Sequence, residues 1–154
     1  MVVVAIIAVL AAVVVPSFIK EGNRGKYKAA EVMPMFAELG TREDAHKVEA
    51  GSYLAAPAFP TAANSSGTDV TTMSTEWITM RVLPSAGKLM CSYIVATGAS
   101  GVAPTANAAW PAWLTDATVA ITPGVGWYFI KATCPSNEYF TASWDSKIRS
   151  EDGL

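Results

Sequence analysis

The chain has 154 residues, enough for one domain plus an anchor. A formal net charge of −2 excludes a nucleic-acid-binding face built on bulk electrostatics. Hydrophobic residues make up 51% and charged residues 16%, and the first fifteen residues supply much of the apolar excess. Residues 1–15 are all Met, Val, Ala, Ile or Leu, Pro16 follows at once, and then the chain turns charged through Lys20, Glu21, Arg24, Lys26, Lys28 and Glu31. A helix with no polar face cannot rest on a globular surface. It must be buried in lipid, in a core, or among copies of itself. Its length falls between a core helix of about 10–14 residues and a membrane span of about 20. No Lys or Arg precedes the run, unlike a secretory signal. The basic cluster that follows would, alone, place residues 20–28 in the cytoplasm, and a basic leader upstream would reverse that orientation. Two readings are open: an unusual signal peptide, or a chain whose true start lies before Met1.

The order Met-Val-Val-Val-Ala-Ile-Ile-Ala-Val-Leu-Ala-Ala-Val-Val-Val-Pro-Ser-Phe-Ile over residues 1–19 resembles the N-terminal helix of type IV pilins. Mature chains of that family open Phe-Thr-Leu-Ile-Glu-Leu and continue Met-Ile-Val-Val-Ala-Ile-Ile-Gly-Ile-Leu-Ala-Ala-Ile-Ala-Ile-Pro-Ala-Tyr. Hydrophobic order, the pair Ala11-Ala12 and Pro16 coincide without a gap. The family's methylated Phe and buried Glu would precede Met1 and correspond to no residue of this sequence. The family's helix glycine is Ala8 here, a better helix former. The resemblance covers about the first fifth of the chain. It implies that Val4, Ile7, Leu10, Val14 and Pro16 belong to a helix that serves membrane and filament core in turn.

From Pro16 to about Ala50 the pattern is helical, with an apolar half 1–19 and an amphipathic half after it. Val32, Met35, Phe36 and Leu39 fall at i, i+3, i+4 and i+7 and form one stripe for packing on the head. Thr41 to Lys47 continue with a mostly polar surface, with Ala45 and Val48 read as inward. Pro16 and Pro34 interrupt the helix, which is expected to bend, and Gly51 suits its C-terminal cap. Ser52-Tyr53-Leu54 after Gly51 resembles, weakly, the Gly-X-Tyr exit of many pilins. Residues 51–154 then read as the head. Within it, residues 55–76, rich in Ala, Pro, Thr, Ser and Gly, read as a long surface loop. A sheet is expected across residues 76–147. Strands are expected at 76–83 and 89–96, joined as a hairpin by Pro84-Ser85-Ala86-Gly87, with Leu89, Cys91, Tyr93 and Val95 on one face. Further strands are expected at 127–134 and 139–144 around the turn Pro135-Ser136-Asn137, with a short one at 118–121. The tail after Lys147 is expected to fray. The fold class is α+β: a long N-terminal helix on a sheet of three or four antiparallel strands, the pilin-like arrangement that the resemblance also implies.

Cys91 and Cys134 are the two cysteines, and export would make them a disulfide, stabilising by roughly 3–4 kcal/mol in the chain-entropy model. In a cytosolic protein they would be two buried thiols. Two Cys and one His are too few for a zinc site. No catalytic constellation is found. His46 lies in a charged helical stretch and reads as solvated; no Ser has a His-linked partner; Gly124-Val125-Gly126 reads as a turn. Asp116, Glu138, Asp145, Glu151 and Asp152 lack EF-hand spacing for calcium. The Asn64-Ser65-Ser66 triplet reads as a chance glycosylation match. Trp110 and Trp113 suit core or subunit packing better than a sugar platform. No cofactor, no metal and no enzymatic activity are expected.

Three functions are weighed. The first is a structural subunit, a major or minor pilin. It would be anchored in the inner membrane, handled by the pilus assembly machinery, and polymerised with like subunits into an extracellular filament for attachment, motility or uptake. The second is a type II secretion pseudopilin, which a calcium-bound sheet loop would favour. The third is an exported ligand-binding domain released by cleavage near Ala12, which retention of the apolar helix in the mature protein would eliminate.

Overall fold

The computed structural model describes residues 26–71, 73–82, 84, 87–102, 104, 110–111, 125–144 and 147–150. The candidate filament-core residues Val4, Ile7, Leu10, Val14 and Pro16, and the expected strand at 118–121, lie outside them.

Proline shapes the start of the described helix. Pro34 has no N–H to donate, and its ring would crowd the carbonyl four residues back. The chain widens there into a π-helical turn, Lys28–Val32, in which the Met33 N–H reaches back to the Lys28 carbonyl. The expected interruption therefore takes the form of one widened turn. It leads into α1, Met33–Ala50, which carries Pro34 in its first turn, where a missing donor costs little. Gly51 ends α1 at φ 82°, a left-handed conformation that glycine adopts without a Cβ clash, and its N–H caps the Lys47 carbonyl at 2.8 Å.

Among the described residues, β1 (Ala56–Phe59), β4 (Ser92–Gly98), β5 (Trp127–Thr133), β6 (Glu138–Ala142) and β7 (Arg149–Ser150) form a five-stranded, all-antiparallel sheet in that order, so the fold is mixed α+β. A separate two-stranded ribbon pairs β2 (Thr68–Asp69) with β3 (Lys88–Leu89). Alternation along each strand assigns the faces. Tyr93 and Val95 of β4, Tyr128, Ile130 and Ala132 of β5, and Tyr139 of β6 share one buried core with Val32, Met35, Phe36 and Leu39 of the helix. Burying each large side chain of that layer contributes about 1.5–3 kcal/mol. The opposite face is buried too. Trp127, Phe129, Phe140 and Ala142 form a second cluster, against which Trp110 and Trp144 pack. The Trp110 ring lies 4.6 Å from Phe129, and Trp144 lies 6.3 Å from Trp127. This double burial explains why β5 reads as a continuous apolar run rather than an alternating one.

The sheet has five strands among the described residues where three or four are expected, and four further expectations are corrected. Of the strand expected at 76–83, the described residues 76–82 are not one: Thr75–Thr79 form a short helix, α2. Ser74 enters it in extended conformation and its hydroxyl donates to Glu76 Oε2 at 2.7 Å. Trp77 and Met80 are buried, three residues apart, while Ile78 is 63% exposed, which is helical spacing. Consequently, among the described residues no hairpin joins 76–82 to β4, and β4 pairs instead with β1 and β5. Residues 55–76 are not wholly a surface loop, because β1 lies at one edge of the sheet. Ala-Pro-Ala-Phe has little strand propensity, and an edge position tolerates its proline. Finally, β7 extends pairing past Lys147, with Phe140 opposite Arg149.

A single glycine fits the outer cluster to the sheet. Gly98 lies opposite Trp127 in the β4–β5 register, and a Cβ there would run into the indole. That indole donates from Nε1 to the Val102 carbonyl at 2.7 Å. Gly98→Ala should therefore cost about 1–3 kcal/mol by overpacking, seen as a lower urea midpoint together with a shifted tryptophan emission.

Candidate functional site

The helical stripe does not stop at its apolar residues. Glu31, Met35, Leu39 and Glu43 succeed one another at intervals of four, so a carboxylate stands at each end. Both face the head. Glu31 grips the segment that leads into β4: Met90 N–H donates to its Oε2 at 2.9 Å, and Cys91 N–H donates to Oε1 at 2.8 Å. The Tyr93 hydroxyl also donates to Oε1, at 3.0 Å. Tyr93 is fully buried, and that burial, with the Glu31 carboxylate beside it, pushes its hydroxyl well above the usual tyrosine range. Glu43 grips the other end. It is 0% exposed, and Leu54 N–H donates to its Oε2 at 2.9 Å. Burial pushes its pKa up to about 7, against the lowering effects of the Leu54 bond and His46.

The Glu31 clamp adjoins the crosslink. Cys91 and Cys134 form a disulfide, with Cα atoms 4.2 Å apart. It joins the residue just before β4 to the residue just after β5, at the end of the sheet where Ser92 faces Thr133. Cys134 N–H in turn donates to the Asn137 carbonyl at 2.8 Å. Helix, disulfide and turn are thus tied at one point.

No protein-family model matches this chain. No curated protein and no solved structure matches it either. The functional reading therefore rests on the residues themselves.

Beside the helix lies a cleft of about 390 Å³ between α1 and the β5–β7 side of the sheet. Met33, Phe36, Gly40, Tyr128, Thr141 and Ile148 are among its walls. Gly40 lets the two layers close up, since a Cβ there would lie 2.9 Å from the Tyr128 hydroxyl. Burial, then Asp44, raises that hydroxyl to about 12. Among the described residues no group of three or more His, Cys, Asp or Glu is placed to hold a metal ion. Among them, too, no helix is long and apolar enough to cross a membrane.

The structure brings Val32, Met35, Phe36 and Leu39 into one core and joins Cys91 to Cys134. Trp110 stands against Phe129, whereas Trp113 lies outside the described residues. His46 is not simply solvated, because its Nδ1 lies 2.9 Å from the Ser52 carbonyl. The inward assignment of Ala45 and Val48 is corrected: Ala45 is exposed and Val48 is 87% exposed. At about 100° per residue, Val48 sits on the opposite side of the helix from Leu39, whereas Glu43 returns to within about 40° of it. The pairing roles of Glu31 and Glu43 were hidden by their charge, although their spacing from Met35 and Leu39 signals the same face.

Proposed function

We propose that this chain is a structural subunit of a type IV pilus-like filament, a pilin in the broad sense. The observation that carries the reading is the residue order of 1–19, with Ala11-Ala12 and Pro16 in place, directly ahead of an amphipathic helix. The head supports it. That helix lays its stripe on an antiparallel sheet, Glu31 holds the segment that leads into β4, and Glu43 holds the segment that leads to β1. A disulfide closing the sheet suits an oxidising compartment.

The physical logic is one of exchange. A helix without a polar face is stable in the inner membrane and equally stable among identical helices. Head-to-tail contacts that do not close then build a filament. The head, stapled rigidly to the second half of the helix, faces outward. In this reading the partners are other subunits, the inner membrane before assembly and the machinery that extracts the chain from it.

Negative-stain microscopy of cells with and without the gene tests this. Surface filaments should disappear or shorten on deletion, and a Lys in place of Ile7 or Leu10 should reproduce the loss. A purified full-length chain that stays monomeric in water without detergent would overturn the reading.

A further inference from the structure

The last turns of α1 hold the departing chain residue by residue. Glu43 Oε2 accepts from Leu54 N–H at 2.9 Å, His46 Nδ1 lies 2.9 Å from the Ser52 carbonyl, and Lys47 Nζ donates to the Tyr53 hydroxyl at 3.2 Å. The Tyr53 hydroxyl in turn donates to Asp44 Oδ1 at 3.4 Å. Three of these are side-chain ties on half-exposed or exposed surface. Glu43 differs: it has no exposed area, and its Oε1 is buried with no hydrogen-bond partner among the described residues.

We propose that the Glu43 carboxyl is a proton-operated latch between α1 and the segment 52–54, closed when the carboxyl is neutral and loosened when it ionises. A neutral carboxyl leaves one buried oxygen unsupported at modest cost. An ionised one leaves part of a full charge in a dry site; the Leu54 N–H favours the charged form but does not offset that penalty, so the side chain is drawn toward water and away from Leu54. The neighbours do not abolish that penalty. On its own helix Asp44 opposes ionisation and His46 favours it, and Lys47 is engaged with the Tyr53 hydroxyl and ring. From the exit segment Tyr53, and from β5 Tyr128, face the same place, their rings 5.0 Å apart edge to face. Segment 52–54 leads directly to β1, so the latch sets how firmly one edge strand of the sheet is held.

The sign follows from linkage. The closed state binds its proton with a pKa of about 7, against 4.5 for a free carboxyl. The closed state is therefore fully favoured below 4.5 and loses that advantage as pH rises toward 7. The proposal stands independently of filament formation.

The test is amide hydrogen exchange by NMR on the full-length chain in detergent micelles, corrected for the intrinsic pH dependence of exchange. The Leu54 protection factor should fall by up to about tenfold per pH unit between those limits and then level off, while the Ile130 amide in β5 holds its protection. Glu43→Gln should flatten the Leu54 profile, and His46→Gln should leave it falling. A flat wild-type profile, a Glu43→Gln profile that still falls, a fall lost in His46→Gln, or an equal fall at Ile130 each overturns the latch. Should Glu43→Gln fail to fold, side-chain carboxyl titration of Glu43 in the wild-type chain decides. A midpoint near the ordinary glutamate value overturns the proposal, and one near neutrality supports it.

Discussion

Glu31→Ala lowers the free energy of unfolding by about 3–4 kcal/mol, measured by urea or thermal unfolding of the full-length chain. The side chain receives three hydrogen bonds, from Met90 N–H, Cys91 N–H and the Tyr93 hydroxyl. A hydrogen bond to a charged group contributes about 1.5–3 kcal/mol, and a buried donor left without an acceptor costs about 1–3 kcal/mol. Cys91 and Tyr93 are fully buried, so their donors have no easy route to water. Glu31 itself is half-exposed, which lets solvent recover part of the loss at Met90 and holds the total below a simple sum. Glu31→Gln keeps one acceptor oxygen but brings two donors toward backbone N–H groups. It should cost about half as much. An alanine variant as stable as the wild type would mean that the clamp does not hold the helix to the sheet.

How far the fold could be read from the sequence depends on whether the deciding signal was local. The stripe Val32, Met35, Phe36 and Leu39 has helical spacing and is buried. The runs at 127–134 and 139–144 carry aromatic and β-branched residues, and strands β5 and β6 stand there. Residues 76–83 read as a strand because Trp77, Ile78 and Val82 look like one when their burial is unknown. Ser74 and Glu76 decide for the helix through a side-chain contact. β1 is not legible in the sequence because its strand character comes from pairing with β4, not from Ala-Pro-Ala-Phe. The two carboxylate staples were legible in spacing but masked by composition, since a Glu on an apolar stripe reads first as a solvated edge. Glu43 carries the higher cost of burial, and its altered acidity marks it. Glu31 spends its charge on three donors, which only the fold brings together.

Removing the crosslink is the second large effect. The double substitution Cys91→Ser with Cys134→Ser should lower unfolding free energy by about 4 kcal/mol in the chain-entropy model, given a sequence separation of 43. The sulfur pair lies in the same buried core as Leu39 and Tyr93, so two hydroxyls also enter an apolar site. Unfolding in urea, with the oxidised wild type as reference, reads the loss directly. Combining it with Glu31→Ala tests the geometry more sharply. Both act on Cys91: the disulfide holds its side chain and Glu31 holds its N–H. Without the disulfide the segment before β4 is already freer, so the clamp has less to hold. The triple variant should fall short of additivity by about 1 kcal/mol, within the range found for residues that share a partner. Strict additivity would confine the work of Glu31 to the Tyr93 hydroxyl. A shortfall would make Glu31 and the disulfide one cooperative joint, fixing the end of the sheet to the start of the described helix.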